Sequence, residues 1–310
     1  MQWRLHTSFK LTNVVSPLSE KPRVEWSKDQ LTAVERRSIR GNSLMAAVPL
    51  PIVNSLIIHY DLSSGQCHSE EGSSEVQLGQ THVMPFVTSQ LVQPYRDRPN
   101  EGTRSMFTEF SPIADPLFEP GRPGEYAVEL GCMVDCGLRE SRAADTESLC
   151  VLAGRLVWAI RVDLHILDNG GNLVDAANIA ALAALMTFRR PECTPEGDNG
   201  QEVTVHPPEV KEPLPLIINH LPVAVTFAFF GSGDILVIDP THYEEAVMGG
   251  RMTATINASG DVCAVQKAGG ECVMQSVIMQ CMRVASLKAA DITSKIKNAV
   301  SFADNVIFAI

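Results

Sequence analysis

The hydrophobic pattern of this 310-residue chain changes period as it runs. From Trp158 to Leu167, apolar Trp158, Ile160, Val162, Leu164 and Ile166 alternate with Ala159, Arg161, Asp163, His165 and Leu167. A period of two predicts a long strand with one apolar face. Val76 to Val92 predicts strands separated by a turn at Gly79, followed by a charged loop of turn formers from Pro94 to Gly102. Ala127, Leu130, Val134 and Leu138 recur at helical spacing and predict an amphipathic helix to about Arg139. Asp168 to Asn172 supplies a turn. Asp175 is then expected to cap an Ala-rich helix running to about Phe188, apolar on most sides and therefore buried against a sheet.

The second half repeats this order. Pro222 to Phe230 and Ile235 to Ile238 read as strands, and Arg251 to Asn257 with Val262 to Lys267 as a hairpin about Ala258-Ser259-Gly260. Ile278, Cys281, Ala285, Ala289, Ile292 and Ile296 mark a closing helix. Strands then a helix, twice over, predict an α+β protein of two units packed as one body. The segment 191–215, with six prolines, is the expected linker between domains at 75–190 and 216–300, with a tail at 301–310. Residues 1–74 show no sustained period, apart from a short helix expected around Asp29 to Arg37.

Composition narrows the class of function. Hydrophobic residues make up 45% and charged residues 20%, an ordinary globular balance that excludes a wholly disordered chain. The apolar stretch Leu44 to Ile58 is interrupted by Pro49 and Pro51 and is too short to span a bilayer, so no membrane anchor is expected. Lys plus Arg number 25 against 36 Asp plus Glu, a net charge of −11. Such a chain does not bind nucleic acid through a general positive field; clustered arginines or partner subunits must supply the charge. The eight cysteines contain no CxxC pair and read as reduced thiols; Cys132 and Cys136 lack a second half-site for zinc.

Several segments carry a family resemblance. They are Gln93 to Gly102, Phe118-Glu119-Pro120-Gly121-Arg122-Pro123, Leu138 to Val151, Val157 to His165, Asp175 to Pro191, and Ile238-Asp239-Pro240-Thr241 with Glu244-Glu245. Together, and in collinear order over about residues 75–300, they resemble the RNase PH family, and within it the ring subunits of the eukaryotic RNA exosome. The resemblance implies the RNase PH fold: two βαβ-type sheet and helix layers, an N-terminal RNase PH domain and a C-terminal RNase PH domain 2. It also implies other ring subunits as partners, including an active-type RNase PH-like one, together with cap subunits and RNA. Work in the nucleus, nucleolus and cytoplasm is implied as well. The N-terminus departs: Glu35-Arg36-Arg37 matches the family's opening, but an Arg-Leu-Asp-Gly-Arg motif and its extended strand are missing between Ser38 and Ser74. Either the strand's role is filled otherwise or this stretch is a faulty translation.

Active members of the family cleave RNA from its 3′ end with inorganic phosphate, held by a Gly-Gly-Thr-Arg run at a helix start. A helix N-terminus suits an anion. Here the equivalent run is Asn172-Leu173-Val174-Asp175, placing a carboxylate where the arginine belongs. Like charges about 4 Å apart repel by about 4 kcal/mol at an effective dielectric near 20. The acid that active members carry six residues before Asp239 is replaced by Gly233, with Asp234 one step off. The expectation is a non-catalytic subunit without a cofactor or metal; the alternative is an active phosphate-dependent 3′-5′ exoribonuclease.

What remains by resemblance is an RNA path. Arg96, Arg98 and Arg104, assigned to the Pro-rich loop, and Arg139 and Arg142, after the amphipathic helix, are the candidate RNA-binding residues. In archaeal relatives, arginines near this second region reach into the partner's site. The competing reading is a solvated face, or ion pairs of Arg139 or Arg142 with Asp145 or Glu147. Arg161 and Asp163 are expected to pair structurally, and His165 and His220 to be ordinary strand and loop histidines.

Overall fold

The alternation around Trp158 becomes the spine of a seven-stranded sheet. This computed structural model describes residues 56–59, 72–115, 118, 124–196, 202–207, 209–231, 235–270 and 272–307. The first sheet holds β1 (Leu56–His59), β2 (Gly72–Ser73), β3 (Glu75–Leu78), β4 (Thr81–Val92), β5 (Thr103–Phe110), β6 (Cys150–Leu152) and β7 (Leu156–Asp168). Its order is β1-β3-β4-β7-β5, with β2 beside β4 and β6 beside β7. Along β7, Ile160, Val162, Leu164 and Ile166 are buried, while Arg161, Asp163 and His165 face outward. β4 runs antiparallel to β7 and β5 runs parallel to it. A parallel pair needs a crossover, which α1 (Glu125–Glu140) supplies.

Two short pieces of the 1–74 segment join this sheet. Leu56 to His59 pairs antiparallel with β3, with Leu56 opposite Leu78, and Gly72-Ser73 pairs with β4. This edge strand is the four-residue run Leu56-Ile57-Ile58-His59, too short for its period to be read. The helix expected at Asp29 to Arg37 lies outside the described residues.

α2 (Leu173–Thr187) follows β7 and packs on β2, β3, β4 and β7 of the first sheet and on β12 (Val223–Phe230) of the second. Contact with sheets on two sides explains why every residue from Leu173 to Leu185 is buried. Its alanines, Ala180, Ala181, Ala183 and Ala184 among them, keep the layers close. The proline-rich segment carries short pairs: β8 (Arg189–Arg190) with β11 (Leu214–Pro215), and β9 (Cys193–Glu196) with β10 (Glu202–Val205).

The second sheet has the order β13-β12-β14-β15, with β13 (Ile235–Ile238), β14 (Gly250–Ile256) and β15 (Val262–Gly269), all antiparallel. α3 (His242–Val247) opens on a capping box between Thr241 and Glu244. α4 (Gln275–Ile307) lays Cys281, Ala285, Ala289, Ile292 and Ile296 into the core, at the spacing that its sequence carries. Among the described residues the parallel βαβ connection therefore occurs once, in the first half.

Candidate functional site

The turn after β7 sets the geometry at the start of α2. Gly171 has φ +105°, and a Cβ there would lie 2.4 Å from the backbone nitrogen of His242. Glycine thus lets the turn before α2 lie against the Pro240-Thr241-His242 backbone ahead of α3. The backbone N–H of His242 donates to the Gly170 carbonyl at 2.9 Å. Asn172 follows in the left-handed region at φ 51°, and α2 begins at Leu173.

Asp175 is therefore the third residue of α2, and the expected N-cap is corrected: no side chain caps this helix. The carboxylate turns instead toward the second sheet. The Thr226 backbone N–H donates to its Oδ2 at 3.0 Å, the Thr226 hydroxyl to its Oδ1 at 2.7 Å, and the Asn172 amide to its Oδ2 at 2.8 Å. One turn on, Asn178 Oδ1 accepts from the Ala224 backbone N–H at 3.0 Å. The reason lies in sheet register. β13 pairs with β12 only from Phe227 onward, leaving the earlier part of that edge to be satisfied by other groups.

The surroundings of Asn172 are acidic. Its amide also donates to Asp239 Oδ1 at 2.8 Å, and its backbone N–H donates to Glu245 Oε1 at 3.0 Å. A carboxylate from α3 thus occupies the electropositive end of α2, where an anion is favoured. Burial lifts the Asp175 carboxyl from the usual 3.8 to about 7, opposed by the bonds from Asn172 and Thr226 and helped by Asp239. This corrects the charge argument as well. Near neutrality Asp175 carries only part of its negative charge, so closure outweighs repulsion: Leu173, Val174 and Asp175 are buried, and the described hydrogen-bonding partners of the Asn172 and Asp175 side chains include no cation. Gly233 and Asp234 lie outside the described residues.

The candidate arginines divide. Arg96 and Arg98 are exposed in the loop after β4, and Arg98 pairs with Glu101 at 3.2 Å. The adjoining cavity of about 530 Å³ is lined by Arg98 with three carboxylates, Asp97, Glu101 and Glu147. Arg104 is corrected: it lies on β5, its side chain is 9% exposed, and it pairs with Asp135 at 3.4 Å. Burial pulls its pKa down while Asp135 holds it up. Arg139 meets the same Asp135 at 3.3 Å and is otherwise exposed. Arg142 is exposed at φ 52° and has no ion pair among the described residues. The expected pairing with Asp145 or Glu147 is replaced, since Asp145 accepts from the Glu147 backbone N–H at 3.0 Å. A bond from Gly102 N–H to the Thr146 carbonyl joins the loop to the segment after α1.

Comparison with known proteins follows the same outline. Residues 59–191 match the 3′ exoribonuclease family, domain 1, and residues 220–286 match domain 2. The chain belongs to the RNase PH family of 3′ exoribonucleases. It is 73% identical over 231 residues to the exosome complex component RRP45B of Arabidopsis thaliana, covering 74% of this chain and 53% of that one. To RRP45A of the same plant it is 71% identical, covering 74% of this chain and 75% of the relative. The chain thus spans about half the length of the first of these relatives. Among solved structures, a chain of the Archaeoglobus fulgidus exosome with RNA bound to the active site superposes at TM-score 0.60 and 32% identity, over 81% of this chain and 87% of that one.

Within this RNase PH fold the remaining expectations can be placed. Arg161 pairs with Asp163 at 2.9 Å, as expected, and its guanidinium also lies 4.3 Å over the half-exposed Phe107 ring. His165 lies 3.4 Å from Glu109 on the same outer face. Thr226 and Glu245 were missed as partners of the α2 start. Thr226 carried a usable signal, as the one hydroxyl in the apolar run Val223 to Phe230. Among the described residues no cluster of His, Cys, Asp or Glu suits a metal, and no helix is long and apolar enough to cross a membrane.

Proposed function

We propose that this chain is a non-catalytic RNase PH-like subunit of an RNA exosome ring. In this reading it scaffolds the ring beside an active-type RNase PH-like partner and beneath cap subunits. It also lines the route of RNA undergoing 3′-5′ processing or degradation, in ribosomal RNA maturation and messenger RNA turnover. Its similarity to exosome complex components supports the assembly. The observation that carries the loss of catalysis is the start of α2, where Leu173, Val174 and Asp175 are buried and Glu245 takes the anion's place at the helix end. Phosphorolysis needs a preorganised cationic cradle at that point.

The pure chain, incubated with single-stranded RNA and inorganic phosphate, is expected to release no nucleoside diphosphate. Measurable phosphate-dependent release would establish the active reading instead. For the RNA route, Arg96, Arg98, Arg139 and Arg142 remain the candidates, while Arg104 belongs with the packing of β5 against α1. Exchanging Arg98, Arg139 and Arg142 for Glu is expected to weaken RNA threading through the assembled ring and leave assembly intact. Unchanged RNA protection in that variant would remove the assignment. The same reading places the chain in the nucleus, nucleolus and cytoplasm, which imaging of a tagged chain tests.

A further inference from the structure

A second cavity, of about 220 Å³, opens at the other end of α2 from Asn172. It lies between Met186, the segment from Ile218 to Leu221, the turn at Ala258-Ser259 between β14 and β15, and Thr293 and Lys297 of α4. Its chemistry is the reverse of the cavity beside Arg98. In a chain of net charge −11, no lining residue is acidic, and the ammonium of Lys297 is the cation.

Three observations converge there. Thr293 is 4% exposed, and its hydroxyl is buried without a partner. A buried hydroxyl left unmet is costly, so a ligand that bonded to it would be favoured there. Lys297 stands one turn further along α4, on the same face as Thr293, and has no ion pair among the described residues. The carboxylate nearest in sequence, Asp291, faces Lys295 at 3.9 Å. His220, Asn219 and Ser259 complete a polar wall, while Met186 and Leu221 give an apolar floor. The space is several times the roughly 30 Å³ share of one water.

We infer that this cavity binds a phosphate group, with Lys297, the Thr293 hydroxyl and the His220 imidazole as donors. Such donors around an anion make charge-assisted bonds. His220 is therefore more than the ordinary loop histidine that the sequence suggests. Two sources share this chemistry: a free phosphate or mononucleotide, and the backbone of single-stranded RNA. The wall itself connects to the surface around Arg142, because Asn219 donates through its side chain to the Arg142 carbonyl at 3.4 Å and through its backbone N–H to the Ala143 carbonyl at 2.8 Å.

The test is calorimetric titration of the full chain with inorganic phosphate, adenosine 5′-monophosphate and a short single-stranded RNA, at matched ionic strength. Saturable phosphate binding is expected, weakened about tenfold by Lys297→Gln and severalfold by the near-isosteric Thr293→Val. RNA that inorganic phosphate displaces identifies the backbone as the source; a mononucleotide that binds where RNA does not identifies the free compound. Absence of saturable binding to the folded chain overturns the site, as does binding that both variants leave unchanged. The phosphorolysis assay is independent of these outcomes, since it reads the opposite end of α2.

Discussion

α1 and α2 are nearly equal in length, and each touches both sheets, yet they treat polar residues in opposite ways. α1 buries one stripe, Ala127, Leu130, Val134 and Leu138, against β5 and β15, and leaves Arg139 and Glu140 in water. α2 is enclosed on every side, so its Asp175 and Asn178 must find partners inside the protein. They find them on β12, and a helix end that could grip an anion becomes a strut between sheets. Charges on a wet face are worth little individually, whereas a polar group in a dry layer is either satisfied or expensive.

The strongest way to break this contrast is to remove volume. Leu182→Ala in α2 is expected to cost about 2–5 kcal/mol in urea unfolding, because Leu182 is fully buried between layers. Val128→Ala on the exposed side of α1 should stay within about 0.5 kcal/mol. Equal losses would mean that α2 is not enclosed as described.

Asp175 gives the next effect. Asp175→Ala strands the Thr226 and Asn172 donors and should cost about 3 kcal/mol. Asp175→Asn keeps the shape and abolishes the titration. Because the folded carboxyl is raised to about 7 from 3.8, its stabilising contribution is present in full below pH 3.8 and is lost as pH rises through 7. Relative to Asp175→Asn, the wild type should therefore lose stability between about pH 4 and 7, by up to about 1.4 kcal/mol per pH unit. A pH-independent difference between the two would place the carboxyl in water.

The smallest effect separates two arginines that share Asp135. Arg104→Gln, inside the packing of β5, is expected to destabilise by about 2 kcal/mol, and Arg139→Gln, on the wet face, by under about 0.5 kcal/mol. Thermal unfolding of the two variants side by side checks this. If Arg104→Gln is neutral, Arg104 returns to the candidates for RNA contact.

Much of this was legible from local pattern. The period of two through β7 and the helical spacing in α1 and α4 reported which faces are buried, because burial imposes those periods. The short β1 was not, since four residues carry no measurable period and its pairing with β3 is a tertiary fact. Arg104 was misassigned for a related reason: no strand was read from Thr103 to Phe110, so the charged loop was carried past its end. At the start of α2 the acidic residue Asp175 was visible in the sequence. Its consequence was not, because a side chain's partners and pKa are set by what packs against it.

The chain alone determined the long strand β7, the helical faces of α1 and α4 and the Ala-rich run of α2, and it carried the segments that resemble RNase PH. The elements are local properties, written in period and residue type, whereas the resemblance lies in the quoted segments. Only the tertiary structure decided that Asp175 bonds to Thr226, that Glu245 lies at the helix end, and that Thr293, Lys297 and His220 face one cavity. The physical reason is that a charge or hydroxyl acquires its role from the desolvation and donors around it, and residues such as Thr226 stand 51 positions away along the chain.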